Sequence, residues 1–468
     1  MMKKNHVYYK TTSLCPMCGT LKPAEVIAKN GGVFVSRTCE KHGLIEGLAC
    51  SDIAWYENLS TFAVPSAKPA SRKKTPENGC PQDCGLCSSH CQSAGTVAVE
   101  ISNACNLQCS VCLADNKETF SLGAASVKKI ADALIARQGS VETFTLSGGE
   151  PTLHPQIFDI ITVLERPEIH RIVLNTNGVR IAEDEWFLNE LQKHPNVYVC
   201  LHFDGPSARK IRGVEPAMQQ KALDRLIRWK INVVPIMLGI KDVTEPDLGP
   251  TISRLLTCST SVKSVILSLM AHSGPRGLAF PGSPTERLTI PRALERMEST
   301  SRGRLRKCDF MPLPMSNPLC AAIGYFMVMD NEITPLIPLV PLGRLIDFTK
   351  NAHFAKASEE LEHLLKDLIN DLCESPDRFF ESAKLLGKFR TLLLELFPDG
   401  SHISDEERRH RAEERIKTIS IIQFMDAWTF DSVRLSQCSC QHLLPDGNVI
   451  PSCGYYAYHR SADQRFAV

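Results

Sequence analysis

Two periods of apolar residues alternate along this chain. The runs Thr96-Val97-Ala98-Val99-Glu100-Ile101, Ile172-Val173-Leu174 and Val199-Cys200-Leu201 are short and rich in β-branched residues. Between and after them, residues 124–138, 155–165, 183–193 and 216–230 carry helix-like apolar spacing. Strands of about five residues alternating with amphipathic helices predict parallel βα units. Polar residues at the ends of those strands predict a site on the carboxyl face of a barrel-like α/β sheet. The alternation runs over residues 96–300.

Outside that stretch the pattern changes. Residues 65–76 are rich in Pro, Lys and Ser, and predict an extended linker. Residues 333–342 are apolar with a Pro every third position, which excludes helix and a central strand and predicts a buried extended segment or a channel wall. Leu361, Leu364, Leu365, Leu368 and Ile369, then Leu392, Leu393, Leu394 and Leu396, predict helices over residues 348–397, with a stripe suited to a core or to peripheral membrane contact. Residues 404–417 predict a charged helix or linker. The expected organisation is 1–60 a metal knuckle, 61–79 a linker, 80–95 a cluster loop, 96–300 the barrel and 301–468 a C-terminal region with a helical insert.

Composition narrows the partners. The 468 residues include 53 Lys+Arg and 52 Asp+Glu, so no global charge favours a nucleic acid. No run approaches the ~18 apolar residues of a membrane span. The start MMKKNHVYYK lacks the apolar region of a signal peptide. A cytoplasmic protein is expected.

Nineteen cysteines stand out. In a reducing compartment, grouped thiols point to metal rather than disulfides. Cys15, Cys18 and Cys39 with His42 have zinc-ribbon-like spacing, suited to zinc or to rubredoxin-like iron. Cys80, Cys84, Cys87 and Cys91 form a second set. Cys105, Cys109 and Cys112, in C-x3-C-x2-C order after the first strand, form a third. Cys438, Cys440 and Cys453, with the distant Cys320, form a fourth. Cys50, Cys200, Cys258, Cys308 and Cys373 read as small buried hydrophobes. The third set is the most specific, because three thiolates can hold three irons of a [4Fe–4S] cube and leave the fourth open.

That triplet, followed by Leu146-Ser147-Gly148-Gly149-Glu150-Pro151 and Asn175-Thr176-Asn177-Gly178, resembles the radical S-adenosylmethionine superfamily. The resemblance implies a partial (β/α)6 barrel. The open iron would bind the amino and carboxylate groups of S-adenosylmethionine, which is cleaved reductively to a 5′-deoxyadenosyl radical. It implies that Ser147, Gly148, Gly149 and Glu150 meet the methionine amino group, and that Asn175 and Asn177 meet ribose or carboxylate. Asp204 is either a ribose contact or a strand-ending turn residue.

The segment from Cys80 to His90 and the tail from Phe424 to Cys453 resemble one group within the superfamily, the archaeal tetraether lipid synthases and pterin-methylating radical enzymes. This implies auxiliary [4Fe–4S] clusters, a mononuclear Fe or Zn, a ferredoxin- or flavodoxin-type electron donor, and a small-molecule or lipid substrate. The group's cysteines are absent at Met315 and Gly95; Cys91 and Cys440 are the expected replacements, with His90 or His442 as other ligands. The expected reaction is C–C bond formation by alkyl-chain coupling. The alternatives are radical methylation of a pterin or other unreactive carbon, and, from another class, a non-catalytic Fe–S carrier or scaffold.

Overall fold

The computed structural model describes residues 6–62, 77–85, 87–114, 120–314, 316–349, 357–378, 381–400, 403–460, 463 and 465. The linker at 65–76 and Met315 lie outside the described residues. Four strands, β1 (His6–Leu14), β2 (Leu21–Lys29), β3 (Gly32–Cys39) and β4 (Gly43–Cys50), make an antiparallel ribbon in sequential order.

The barrel-like sheet follows. β5 (Thr96–Ser102), β6 (Thr143–Gly148), β7 (Ile172–Thr176), β8 (Val197–His202), β9 (Asn232–Gly239) and β10 (Ser264–Leu269) pair in parallel, each with its neighbour. Helices Ala124–Gln138, Ile157–Leu164, Glu185–Leu191, Pro216–Arg228 and Leu248–Thr257 return the chain between them. This is the α/β partial barrel of six βα units.

The sheet does not stop there. After β11 (Met311–Pro312), β12 (Ala321–Met329) and β13 (Glu332–Pro335), the strand β14 (Ile416–Gln423) adds in parallel to β10, and β12 pairs antiparallel to β14. At the other edge β15 (Cys440–Leu443) lies parallel to β5, with β16 (Val449–Pro451) beyond it. The charged helix expected at 404–417 ends at Arg415, and Ile416 and Lys417 already belong to β14. The Pro-rich segment forms the edge strand β13 and a short turn, half-buried rather than buried.

Burial alternates along the strands. Leu146, Leu174, Leu201, Met237, Leu267 and Ile421, each 0% exposed, pack against the helices. Their neighbours Ser147, Asn175, His202, Ile236, Ser268 and Ser420 point the other way and remain half-buried, so they line an accessible lumen. The helical insert packs on the outer strands of the sheet: Leu361, Leu365, Leu368 and Leu372 of helix Glu359–Glu374 and Phe389, Leu392 and Leu396 of helix Ser382–Leu396 share one core with Ile323, Tyr325 and Met327 of β12. The leucine stripe is core except for Leu394, which is 56% exposed. Of the scattered cysteines, Cys50 and Cys200 are buried, whereas Cys258, Cys308 and Cys373 are exposed, against expectation. Among the described residues, no helix is long and apolar enough to cross a membrane.

Candidate active site and metal centres

The triplet sits on the loop leaving β5 at the carboxyl face of the sheet. Its backbone is anchored across the lumen, where the Ser110 N–H donates to the Ile211 carbonyl at 3.1 Å. The Cys109 thiol faces the Arg212 carbonyl at 3.8 Å. Burial pushes the Cys105 thiol up to about 11 and raises the Cys112 thiol as well, while the Arg276 and Arg212 guanidiniums pull Cys112 the other way. A metal that takes these sulfurs as thiolates must displace protons.

The glycine pair does its work against this loop. Gly149 N–H donates to the Ser102 carbonyl at 2.7 Å, and Glu150 N–H to the Ala104 carbonyl at 2.7 Å. A Cβ on Gly148 would lie 2.1 Å from the Ser102 oxygen, and one on Gly149 2.1 Å from the Ala104 oxygen. Gly148 also has φ +122°, which L side chains rarely adopt. The two segments are therefore clamped backbone to backbone.

Glu150 is saturated by the protein. One carboxylate oxygen accepts from Thr152 N–H at 3.1 Å, Thr152 Oγ1 at 2.7 Å and Thr176 Oγ1 at 2.7 Å, the other from Asn177 N–H at 2.8 Å. Burial raises its carboxyl, and those donors draw it back. Asn177 in turn donates to Asn106 Oδ1 of the cluster loop at 2.8 Å. Asp204 is likewise engaged: Leu238 N–H and Arg212 Nε each donate to it at 2.8 Å. Asp204 has no exposure, and both of its carboxylate oxygens accept from the protein.

What faces the lumen is different. Asn175 Oδ1 and His202 Nδ1 are buried atoms without a hydrogen-bond partner, on adjacent strands. Arg276 Nη1, beside the triplet, is in the same condition. Burial and then Arg212 push His202 well below its ordinary value, so its imidazole is neutral. Polar atoms left in this state imply a ligand that supplies their partners. Spacing in the sequence marked Asn175; His202, Arg212 and Arg276 carry no signal there.

The ribbon holds a second centre. Cys15, Cys18, Cys39 and His42 bring their ligand atoms within 4.8 Å of one another, with Cys15 Sγ 3.4 Å and Cys39 Sγ 3.5 Å from His42 Nδ1. These separations are edges of a tetrahedron around one ion bound at the ~2.0–2.3 Å of zinc. The Lys41 N–H lowers the Cys39 thiol and the Thr20 hydroxyl lowers Cys18, which favours thiolates. Among the described residues no other group of donors meets that spacing. The triplet does not, as sulfurs spread over three corners of a cube would not.

Comparisons with known proteins agree with these two centres. Residues 99–255 match the Radical SAM superfamily, and residues 7–51 match the HMPTM N-terminal zinc ribbon domain. The chain carries a radical SAM domain. Its cofactors are a [4Fe–4S] cluster and S-adenosylmethionine, for which the triplet and the unpartnered lumen atoms are suited. A 7,8-dihydro-6-hydroxymethylpterin dimethyltransferase of Methanocaldococcus jannaschii is 23% identical over 98% of this chain and 96% of its own length. A GTP 3′,8-cyclase of Haemophilus ducreyi is 32% identical, but over 23% of this chain and 32% of its own. Among solved structures, Streptococcus suis SuiB bound to precursor peptide SuiA aligns with TM-score 0.36 and 16% identity, over 45% of this chain and 46% of that one. The chain thus spans less than half of that solved structure.

The second and fourth cysteine sets form two further neighbourhoods. Cys320, Cys438, Cys440 and Cys453 act on one another electrostatically: burial first, then Cys453, Cys440 and Cys320, push the Cys438 thiol far up. Arg434 Nε donates to Cys320 Sγ at 3.1 Å and Met425 N–H to Cys453 Sγ at 3.3 Å, contacts that stabilise thiolates. Cys80, Cys84 and Cys87 line a cleft of about 320 Å³, open solvent included, together with His90. Cys91 is exposed and outside that lining, its thiol toward the Ser89 carbonyl at 3.5 Å. His442, the other histidine considered as a ligand, stacks on Tyr455 with ring centroids 4.3 Å apart.

Proposed function

We propose that this enzyme methylates an unreactive ring carbon of a pterin-type heterocycle, using auxiliary [4Fe–4S] clusters at the Cys80 and Cys438 neighbourhoods beside the cluster of the triplet. The observation that carries this reading is the extent of one match. The pterin dimethyltransferase aligns along ribbon, barrel and C-terminal region alike, whereas the GTP cyclase aligns over less than a quarter of this chain.

The lumen supports it. Ser147, Asn175, His202, Ser268 and Ser420 put polar groups on its wall. An alkyl chain lying there leaves such groups unpaired, at about 1–3 kcal/mol each, while a nitrogen-rich ring can pair with them. Alkyl-chain coupling of the tetraether type, placed first by sequence resemblance, is therefore the second reading.

Bound at the triplet, the cluster supplies one electron for cleavage of S-adenosylmethionine to a radical that takes hydrogen from an unactivated C–H bond. The chain's own residues do the rest. The Gly149–Glu150 clamp and the Asp204–Arg212 pair fix the cluster loop over the lumen. The helices around the sheet exclude water and stray hydrogen donors. Arg276 Nη1 offers a cationic donor beside the triplet.

The test is product mass. Full-length protein, reduced by a ferredoxin or flavodoxin system and given S-adenosylmethionine as radical source, a one-carbon folate-type compound as methyl donor and 7,8-dihydro-6-hydroxymethylpterin, is expected to add methylene masses to the pterin. If the pterin returns unchanged while paired alkyl chains are joined with loss of two hydrogens, coupling replaces methylation as the function.

A further inference from the structure

The cleft lined by Cys80, Cys84 and Cys87 lacks an evident fourth ligand. Cys91 follows His90 directly, yet the two residues diverge. Cys91 is exposed outside the cleft, whereas His90 is only 4% exposed and lines it. The turn that separates them is fixed by backbone: the His90 N–H donates to the Cys87 carbonyl at 3.0 Å, and the Cys91 N–H donates to the Ser436 carbonyl at 2.8 Å.

The ring of His90 is held in the cleft through its Nε2. Its Nε2 lies 2.9 Å from the Cys438 carbonyl oxygen, which can only accept, so the proton sits on Nε2. The Gln441 side-chain amide is 3.0 Å from the same nitrogen. The same amide nitrogen donates to the Cys438 carbonyl at 3.3 Å, so ring and amide converge on that oxygen. The lone pair of the neutral ring is then on Nδ1. A ligating histidine commonly donates its other N–H to a backbone carbonyl in this way.

We infer that His90 Nδ1, and not Cys91, is the fourth protein ligand of an iron–sulfur cluster held by Cys80, Cys84 and Cys87. The assignment rests on the proposed auxiliary cluster in this cleft. A cluster is favoured over a single ion because, among the described residues, no three of these donors lie within 4.8 Å of one another as the ribbon ligands do. Replacing a thiolate by a neutral imidazole leaves the cluster less negative, and a cluster with one such ligand is easier to reduce than its all-thiolate form. The hydrogen bond from His90 to Cys438 also ties this centre to the neighbouring cysteine set.

The experiment uses full-length protein with Cys105, Cys109 and Cys112 all replaced by Ala, reconstituted anaerobically without S-adenosylmethionine, so that no nitrogen reaches iron from that cofactor. Iron and sulfide are counted, and pulsed EPR of the reduced protein reads nitrogen coupling to the cluster. The expected result is a histidine nitrogen coupling, identified by ¹⁵N-histidine labelling, that persists in Cys91→Ser with unchanged iron. It should vanish in His90→Ala, with loss of about half or more of the cleft's iron. His90→Cys should restore the iron, without nitrogen coupling and with a lower reduction potential. Full iron with no histidine coupling, or loss of the cluster in Cys91→Ser and not in His90→Ala, overturns the ligand assignment and leaves the auxiliary cluster standing. Absence of iron and sulfide from the parent protein overturns the auxiliary cluster itself.

Discussion

Replacing Gly149 by Ala tests the backbone clamp directly. The new Cβ would sit 2.1 Å from the Ala104 oxygen and 2.6 Å from its carbonyl carbon, both rigid backbone atoms. Reaching even 3.0 Å requires the two segments to part by about 0.9 Å. That movement breaks or weakens the 2.7 Å bonds from Gly149 to Ser102 and from Glu150 to Ala104. Two buried backbone bonds left unmade cost about 1–3 kcal/mol each, so a loss of about 2–6 kcal/mol is expected. The cluster loop shifts by the same distance, and a displacement of ~1 Å at a reacting centre lowers rate by about 10²-fold. Chemical denaturation and 5′-deoxyadenosine release from reconstituted protein read the two effects. Gly387→Ala is the control: no atom lies within 4 Å of its added Cβ, and a gain of about 0.5–1 kcal/mol is expected in its helix. If Gly149→Ala keeps wild-type stability and wild-type release, the clamp has no role.

Three further outcomes follow from named contacts. Asp204→Asn keeps the shape but leaves the Arg212 guanidinium without its anion, a change worth about 3–5 kcal/mol for a buried pair, and should lower the melting temperature and the iron retained by the triplet. Lys417 is buried in β14, its Nζ donating to the Leu256 and Ser259 carbonyls at 2.6 Å, and burial pushes it down to about 8 from 10.5. Between those values the unfolded chain binds more protons, so stability rises with pH, by up to about 3 kcal/mol; Lys417→Met should lose that increment, and parallel pH profiles in urea unfolding would contradict it. Tyr9→Phe with Thr11→Val removes two 2.6 Å bonds to Asp431, the carboxylate that caps the turn before Cys438. Hydrogen exchange over residues 426–438 should quicken by about tenfold or more while the ribbon metal stays bound.

Local chemistry in the sequence was legible; long-range direction was not. The β5 run, the triplet and the helix at Ala124–Gln138 are set by neighbours in the chain, and stand where the pattern places them. β14 was hidden because its apolar residues follow a charged helix far from the βα alternation, and only pairing with β10 makes it a barrel strand. Glu150 and Asp204 look like ligand groups in sequence, but their donors, Thr176, Asn177, Leu238 and Arg212, arrive from other strands and loops. Spacing cannot separate His90 from Cys91 either. One residue apart, His90 is buried in the cleft and Cys91 is exposed, on a turn held by the distant Ser436.

The account depends most on a three-thiolate cluster whose fourth corner is open to S-adenosylmethionine. The direct measurement is EPR of the dithionite-reduced, reconstituted full chain before and after the cofactor is added, with 5′-deoxyadenosine assayed in the same samples. A shift in the signal and nucleoside release, both lost when Cys105, Cys109 and Cys112 become Ala, is the predicted result. A signal indifferent to the cofactor, or release that survives the triple replacement, would contradict it.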